Sequence, residues 1–163
     1  MTILGIDPGL ATVGFGVLRY EKNNFSVIEY GAVLTKPDIT LSERLCEIYD
    51  NICELCNTYH PHAASIEEIF FNTNQKTAVA VSQARGVILL ALKKQGIPVY
   101  EYTPLQIKQA VTGYGRAEKK QIIYMVQNIL KLPSPPKPDD TADALAAAIC
   151  HSFSSSSKLF GLD

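Results

Sequence analysis

At Thr40 the hydrophobic pattern of the chain changes period, and this change restricts the fold more than any other feature of the sequence. Before it, apolar and β-branched residues fall into three runs: Ile3–Asp7, Val13–Tyr20 and Phe25–Leu34. Val13, Phe15 and Val17 alternate with small residues, and the turn pair Pro8-Gly9 and the polar stretch Glu21–Asn24 separate the runs. They therefore read as an antiparallel meander. From Thr40 onward the period is helical. Thr40-x-x-Glu43 has capping-box spacing, and Leu41, Leu45, Ile48, Ile52 and Leu55 recur at intervals of three and four. Ala63–Glu67 predicts a strand, Ile69–Asn74 an exposed loop, Lys76–Gln95 a long helix and Ile97–Tyr102 another strand. Thr103-Pro104 suits the cap and first residue of a further helix, and Gly113-Tyr114-Gly115 breaks the pattern before a helix that reaches Lys131. Four prolines between Pro133 and Pro138 precede the alanine-rich Thr141–Phe153, which is strongly helical. Strands of a meander followed by alternating helices and strands imply an α/β fold, a mixed sheet of a three-strand antiparallel meander plus parallel strands, flanked by helices.

With 163 residues and 47% hydrophobic content, the chain suits one packed domain, expected over residues 1–153, with residues 154–163 as a flexible serine-rich tail. Apolar stretches such as Val87–Leu92 and Ala144–Cys150 are far shorter than the ~20 residues of a membrane span. The N-terminal residues carry no basic, signal-like region, so a cytoplasmic protein is expected. Of the four cysteines, Cys53 and Cys56 alone have ligand spacing, and no second Cys or His pair matches them. Free, mostly buried thiols are expected rather than structural zinc.

The net charge of −1 conceals segregation. Residues 1–75 hold ten acids against four basic groups, whereas residues 76–138 hold ten basic groups against Glu101 and Glu118, a local net charge of +8. Lys93, Lys94, Lys108, Arg116, Lys119, Lys120, Lys131 and Lys137 supply most of it, enough for a polyanion footprint or for ordinary solvated helix faces.

Several acids occupy positions where apolar residues cost less. Asp7 and Glu67 each close an apolar strand, and Asp140 and Asp143 share a side of a helix start through their i,i+3 spacing. Each also has a local role open to it: Asp7 in an Asx-type turn, Glu67 at an exposed strand end, Asp139 or Asp140 as a helix cap. Spacing alone leaves their convergence open. Gathered in one pocket, like charges raise one another's pKa and stay ionised only beside a compensating cation. Ligands that are all carboxylate select Mg²⁺ or Mn²⁺. A pair of such ions about 4 Å apart serves hydrolysis of a phosphodiester. Within the doublet, Asp139 follows Pro138 and is the better cap candidate, which leaves Asp140 inside the helix to reach a cation.

Five motifs in order, Gly5-Ile6-Asp7-Pro8-Gly9, Ile66-Glu67-x-x-Phe70, Gln83-Ala84-Arg85-Gly86, Ala117-Glu118-Lys119 and Asp140-x-x-Asp143-Ala144-Leu145-Ala146, resemble those of RuvC-type Holliday-junction resolvases. The resemblance spans about Ile3 to His151. It implies a ribonuclease-H-like fold, a homodimer and Mg²⁺-dependent endonuclease activity on four-way DNA junctions. It also implies paired nicks with 5′-phosphate and 3′-hydroxyl ends, and cooperation with a branch-migration motor in recombination and repair. By the same resemblance Asp7, Glu67, Asp140 and Asp143 are the catalytic, metal-binding acids, with two Mg²⁺ ions expected and Mn²⁺ a substitute. Phe70 matches an aromatic that meets bases near the crossover, and Lys108 and Lys119 match lysines near the scissile phosphate. Arg116 and Lys120 join these as DNA-binding candidates from the charge map. Glu68 beside Glu67, the Asp139-Asp140 doublet and a longer proline-rich connection depart from the family pattern.

Three other readings compete. A ribonuclease-H-like nuclease acting on RNA shares the acids but not Phe70 and the basic loop. Sugar kinases and actin-like ATPases open with a similar Asp-Gly hairpin but close a nucleotide between two domains, which 163 residues do not supply. A binding module with a decayed site is disfavoured because all four acids are present.

Overall fold

The computed structural model describes residues 1–68 and 75–159. Three strands open the chain, β1 (Thr2–Asp7), β2 (Thr12–Glu21) and β3 (Asn24–Leu34). They pair antiparallel in succession. Lys22 and Asn23 both take positive φ, the conformation of the tight turn whose twist suits a two-residue hairpin. Helix α1 (Leu41–Tyr59) starts on the capping box read from the sequence, with Glu43 N–H donating to Thr40 Oγ1 and Thr40 N–H to the Glu43 carboxylate. Ile48, Ile52 and Cys56 are buried along its inner face, and Leu41, at the start of the stripe, is exposed. Strand β4 (Ala63–Glu67), helix α2 (Gln75–Lys94) and strand β5 (Val99–Tyr102) follow. Helices α3 (Pro104–Thr112), α4 (Lys119–Leu130) and α5 (Asp139–Leu159) complete the fold. The sheet order is β3-β2-β1-β4-β5, with β1, β4 and β5 parallel, so the expected mixed sheet forms. All four cysteines are free; Cys56 and Cys150 are buried and Cys46 is exposed.

Strand alternation sorts the sheet into two faces. Leu4, Ile6, Val13, Val17, Ala64 and Ile66 pack with Ile48, Ile52, Ile88 and Leu92 of α1 and α2. Ile3 and Leu18 belong to the opposite core, with Ile107, Val111, Ile122, Val126 and the α5 residues Leu145–Cys150. Gly5 and Asp7, two and four residues after Ile3, share its face, and Ser65 and Glu67 alternate likewise with Ala64 and Ile66.

Helix α5 lies directly on the strands. A methyl group at Gly5 would overlap the Ala144 carbonyl, one at Gly14 the Asp140 backbone, and one at Gly16 the Leu145 side chain. Ala142, Ala144, Ala146, Ala147 and Ala148 are all fully buried, so small residues on both partners set the distance. The helix opens at Asp139, two residues before the expected start, and continues through Ser154 and Ser155 to Leu159. Those serines return their hydroxyls to the carbonyls of Cys150 and Ser152, which keeps polar side chains compatible with the helix. Substituting Gly5 or Gly14 by Ala is expected to lower the unfolding free energy by about 1–3 kcal/mol through overpacking. Denaturant titration checks this as a lower midpoint at unchanged slope.

Candidate metal centre and nucleic-acid interface

Asp7 and Glu67 are the last residues of neighbouring parallel strands, so both half-buried carboxylates sit at one end of the sheet and face α5. Asp7 pairs in register with Gly14, and Gly14 touches the backbone of Asp140, which brings the first turn of α5 over the strand end. Asp143 lies one turn further along α5. The four acids predicted from the sequence therefore share one electrostatic neighbourhood. Burial pushes the Asp7 carboxyl up to about 8 from 3.8, and the negative charges of Asp143, Glu67 and Asp140 add to the rise, while Lys119 opposes it. Burial, then Asp143, also raises Glu67, and Lys108 and Lys119 pull it back.

The positive groups come from the two short helices. Thr103 and Gln106 exchange capping hydrogen bonds of 2.8 and 3.2 Å and fix the start of α3, which carries Lys108. Gln121 accepts the Glu118 N–H at 2.8 Å and fixes the start of α4, whose first residue is Lys119. The Lys119 ammonium donates to Asp143 Oδ2 at 2.7 Å and lies 3.9 Å from Asp139 Oδ2. Burial, the largest influence on Lys119, disfavours its charge, yet Asp143, Asp139 and Asp7 together hold it above the ordinary lysine value. Glu67, Lys108, Lys119 and Asp143 line a cleft of about 220 Å³ with Pro104, Ile107 and Ile122. Sequence reading missed this apolar rim; the Thr103-Pro104 pair signalled the start of α3 but not its place beside the acids.

Other expected residues fall elsewhere. Asp139 is the first helical residue of α5 rather than its cap, and its exposed carboxylate turns toward Lys119. Arg116 is exposed on the connection between α3 and α4. Lys120 lines a separate groove of about 370 Å³ with Tyr114, Gln121, Tyr124 and Met125. Arg85, from the third sequence motif, pairs with Glu101 on β5. Phe70 and the loop predicted around it lie outside the described residues.

An all-oxygen donor set of four carboxylates suits a hard divalent cation and offers nothing to zinc. Among the described residues no group of three or more His, Cys, Asp or Glu stands gathered closely enough to form a finished cage. Lys119 supplies the positive charge at Asp143 instead. The chemistry of the donors fits a divalent cation.

One consequence concerns pH. Asp7 binds its proton more tightly in the folded chain than in the unfolded one, so its contribution favours folding at low pH and is lost as pH rises. In the cation-free protein this loss runs from about pH 4 to about pH 8 and then levels off. Asp7→Asn removes this component, and urea midpoints measured across that range in EDTA are expected to show the flatter dependence.

Comparison with known proteins places this geometry in a family. The family model described as crossover junction endodeoxyribonuclease RuvC matches residues 3–151. The crossover junction endodeoxyribonuclease RuvC of Ruminiclostridium cellulolyticum is 56% identical over 151 residues, covering 93% of this chain and 91% of the relative. The structure of Thermus thermophilus RuvC superposes with a TM-score of 0.89 at 36% identity, over 99% of this chain and 98% of that one. The same Thermus protein in complex with Holliday junction substrate gives 0.87 at 34% identity, over 99% and 98% of the two chains. With the four acids at the sheet end and nearly the whole chain matched, this protein belongs to the RuvC family of crossover junction endodeoxyribonucleases.

Proposed function

We propose that this chain resolves four-way DNA junctions by paired, symmetric nicks, with Asp7, Glu67, Asp140 and Asp143 holding two Mg²⁺ ions at each active site. The observation that carries the reading is the convergence of Glu67, Asp140 and Asp143 on the half-buried Asp7. When bound, hard divalent cations neutralise the acids and supply the activated water and leaving-group stabilisation of phosphodiester hydrolysis. The chain's own residues prepare for this. Glu67 and Asp143 line the cleft itself, with Asp7 and Asp140 in the same electrostatic neighbourhood, and α3 and α4 add Lys108 and Lys119 to its rim. Ammonium groups are point charges that neutralise backbone phosphate without reading sequence, which suits a substrate recognised by shape. Arg116 and Lys120 extend the positive field outside the cleft, and Phe70 is assigned to a base at the crossover, where stacking contributes roughly 1–3 kcal/mol.

A four-way junction has approximate two-fold symmetry, and cutting two opposed strands requires two active sites, which a C2 homodimer supplies. The reading includes cooperation with a branch-migration motor and action in the cytoplasm. Among the described residues no helix is long and apolar enough to cross a membrane.

The test is incubation of a synthetic four-way junction and a linear duplex of the same sequence with Mg²⁺ or EDTA, with nick positions mapped. Opposed nicks with ligatable 5′-phosphate ends are expected on the junction alone. Equal cutting of both substrates at limiting enzyme contradicts junction specificity, and activity that survives EDTA contradicts the metal assignment. Asp140→Asn is expected to remove nearly all cleavage while junction binding persists. Asp139→Asn is expected to cost little, because the exposed Asp139–Lys119 pair is of the weak surface kind. Lys108→Ala is expected to weaken binding or cutting and, through loss of one phosphate contact, to reduce the salt slope by about one unit.

A further inference from the structure

The acids arrive on two separate supports. Glu67 ends β4, whereas Asp140 and Asp143 belong to α5. The distance between them depends on how the strand and the helix are fastened to each other. Two buried polar contacts make that connection. Ser65 Oγ donates to the Ala147 carbonyl at 2.7 Å, with Ser65 fully buried. Tyr102 Oη and His151 Nδ1 are 2.7 Å apart, also in the interior. The His151 ring in addition lies 4.3 Å from that of Tyr100, centre to centre.

The spacing of these contacts matches the spacing of the acids. Ser65 and Glu67 are two residues apart on one face of β4, a step of roughly 6.6 Å. Asp143, Ala147 and His151 are four residues apart along one side of α5, a step of roughly 6 Å each. Fastening Ser65 to Ala147 therefore sets Glu67 beside Asp143, one step forward along β4 and one step back along α5. Tyr102 is the register partner of Glu67, and its carbonyl accepts the N–H of Glu68 at 2.9 Å, so its hold on His151 fixes the same strand end from the other side.

We infer that Ser65, Tyr102 and His151 are positioning residues that hold Glu67 opposite Asp143 and thereby set the cation affinity of the acid cluster. The inference rests on the proposed reading of that cluster as a divalent-metal site. Removing either hydroxyl leaves side-chain shape nearly unchanged and frees the strand end to drift from the helix. Partners one shell away from metal ligands commonly change metal affinity by about 10–100-fold.

The experiment uses Ser65→Ala, Tyr102→Phe and the double variant of the full chain, with Glu67→Gln and Asp143→Asn as references. Calorimetric titration of the DNA-free proteins with Mn²⁺ alone reads the site directly. Thermal unfolding and junction binding in EDTA report separately on fold and DNA contacts. The expected result is Mn²⁺ binding weakened about tenfold in each single variant and further in the double, with junction binding in EDTA within twofold and cleavage recovered at high Mg²⁺. Mn²⁺ affinity unchanged within twofold in a folded hydroxyl variant, with a lowered melting temperature, overturns the inference and leaves these groups a purely structural role; if one single variant fails to fold, the other decides. Unchanged Mn²⁺ binding in Glu67→Gln and Asp143→Asn removes the metal reading itself, and the inference with it.

Discussion

The seating of α5 on the first two strands is the constraint on which the rest of the structure depends. Gly5, Gly14 and Gly16 leave the sheet bare where the alanine-rich helix crosses it, so helix backbone sits against Gly5 and Gly14 and the Leu145 side chain fills the space at Gly16. Glycine in a strand weakens it, and alanine offers little apolar surface, so neither choice suits an ordinary core. Together they allow close approach. Asp140 is carried to within reach of Asp7 because nothing projects from Gly14, the register partner of Asp7.

That proximity has an electrostatic cost. Burial first, and then repulsion from the neighbouring carboxylates, raise the proton affinity of Asp7. Lys119 relieves part of this repulsion through Asp143, and its location at the first residue of α4 is fixed by the hydrogen bond between Gln121 and the Glu118 amide. The protein's own positive charge thus compensates part of the cluster. A lysine holds the place of positive charge in a site whose donors favour a harder and more compact cation.

Much of this was legible in the sequence where a single local rule governed the outcome. The meander followed from alternation at Val13, Phe15 and Val17, and the starts of α1 and α3 followed from Thr40 with Glu43 and from Thr103 with Pro104. Parallel strands beyond the meander were part of the expected mixed sheet, but the order β3-β2-β1-β4-β5 depends on crossovers that no local pattern specifies. The first residue of α5 also escaped, because Asp139 and Asp140 are both good caps by residue type, whereas the helix includes both of them. Convergence of the acids was suggested by their positions at element ends. The ion pair between Lys119 and Asp143, and the buried contacts of Ser65 and Tyr102, join residues far apart in the chain and left no periodic trace.

The division of charge along the sequence acquires a meaning in three dimensions. The strand ends and α5 carry the acids, whereas α3, α4 and their connection form one consecutive segment bearing Lys108, Arg116, Lys119 and Lys120. This segment packs on α5 through Ile107, Val111, Ile122 and Val126 and adds no strand to the sheet. Descent with modification can therefore reshape the surface offered to a nucleic acid by exchanging about thirty consecutive residues, leaving the arrangement of acids intact. Lys119 belongs to both parts, and it is the position at which such an exchange would be most tightly restricted.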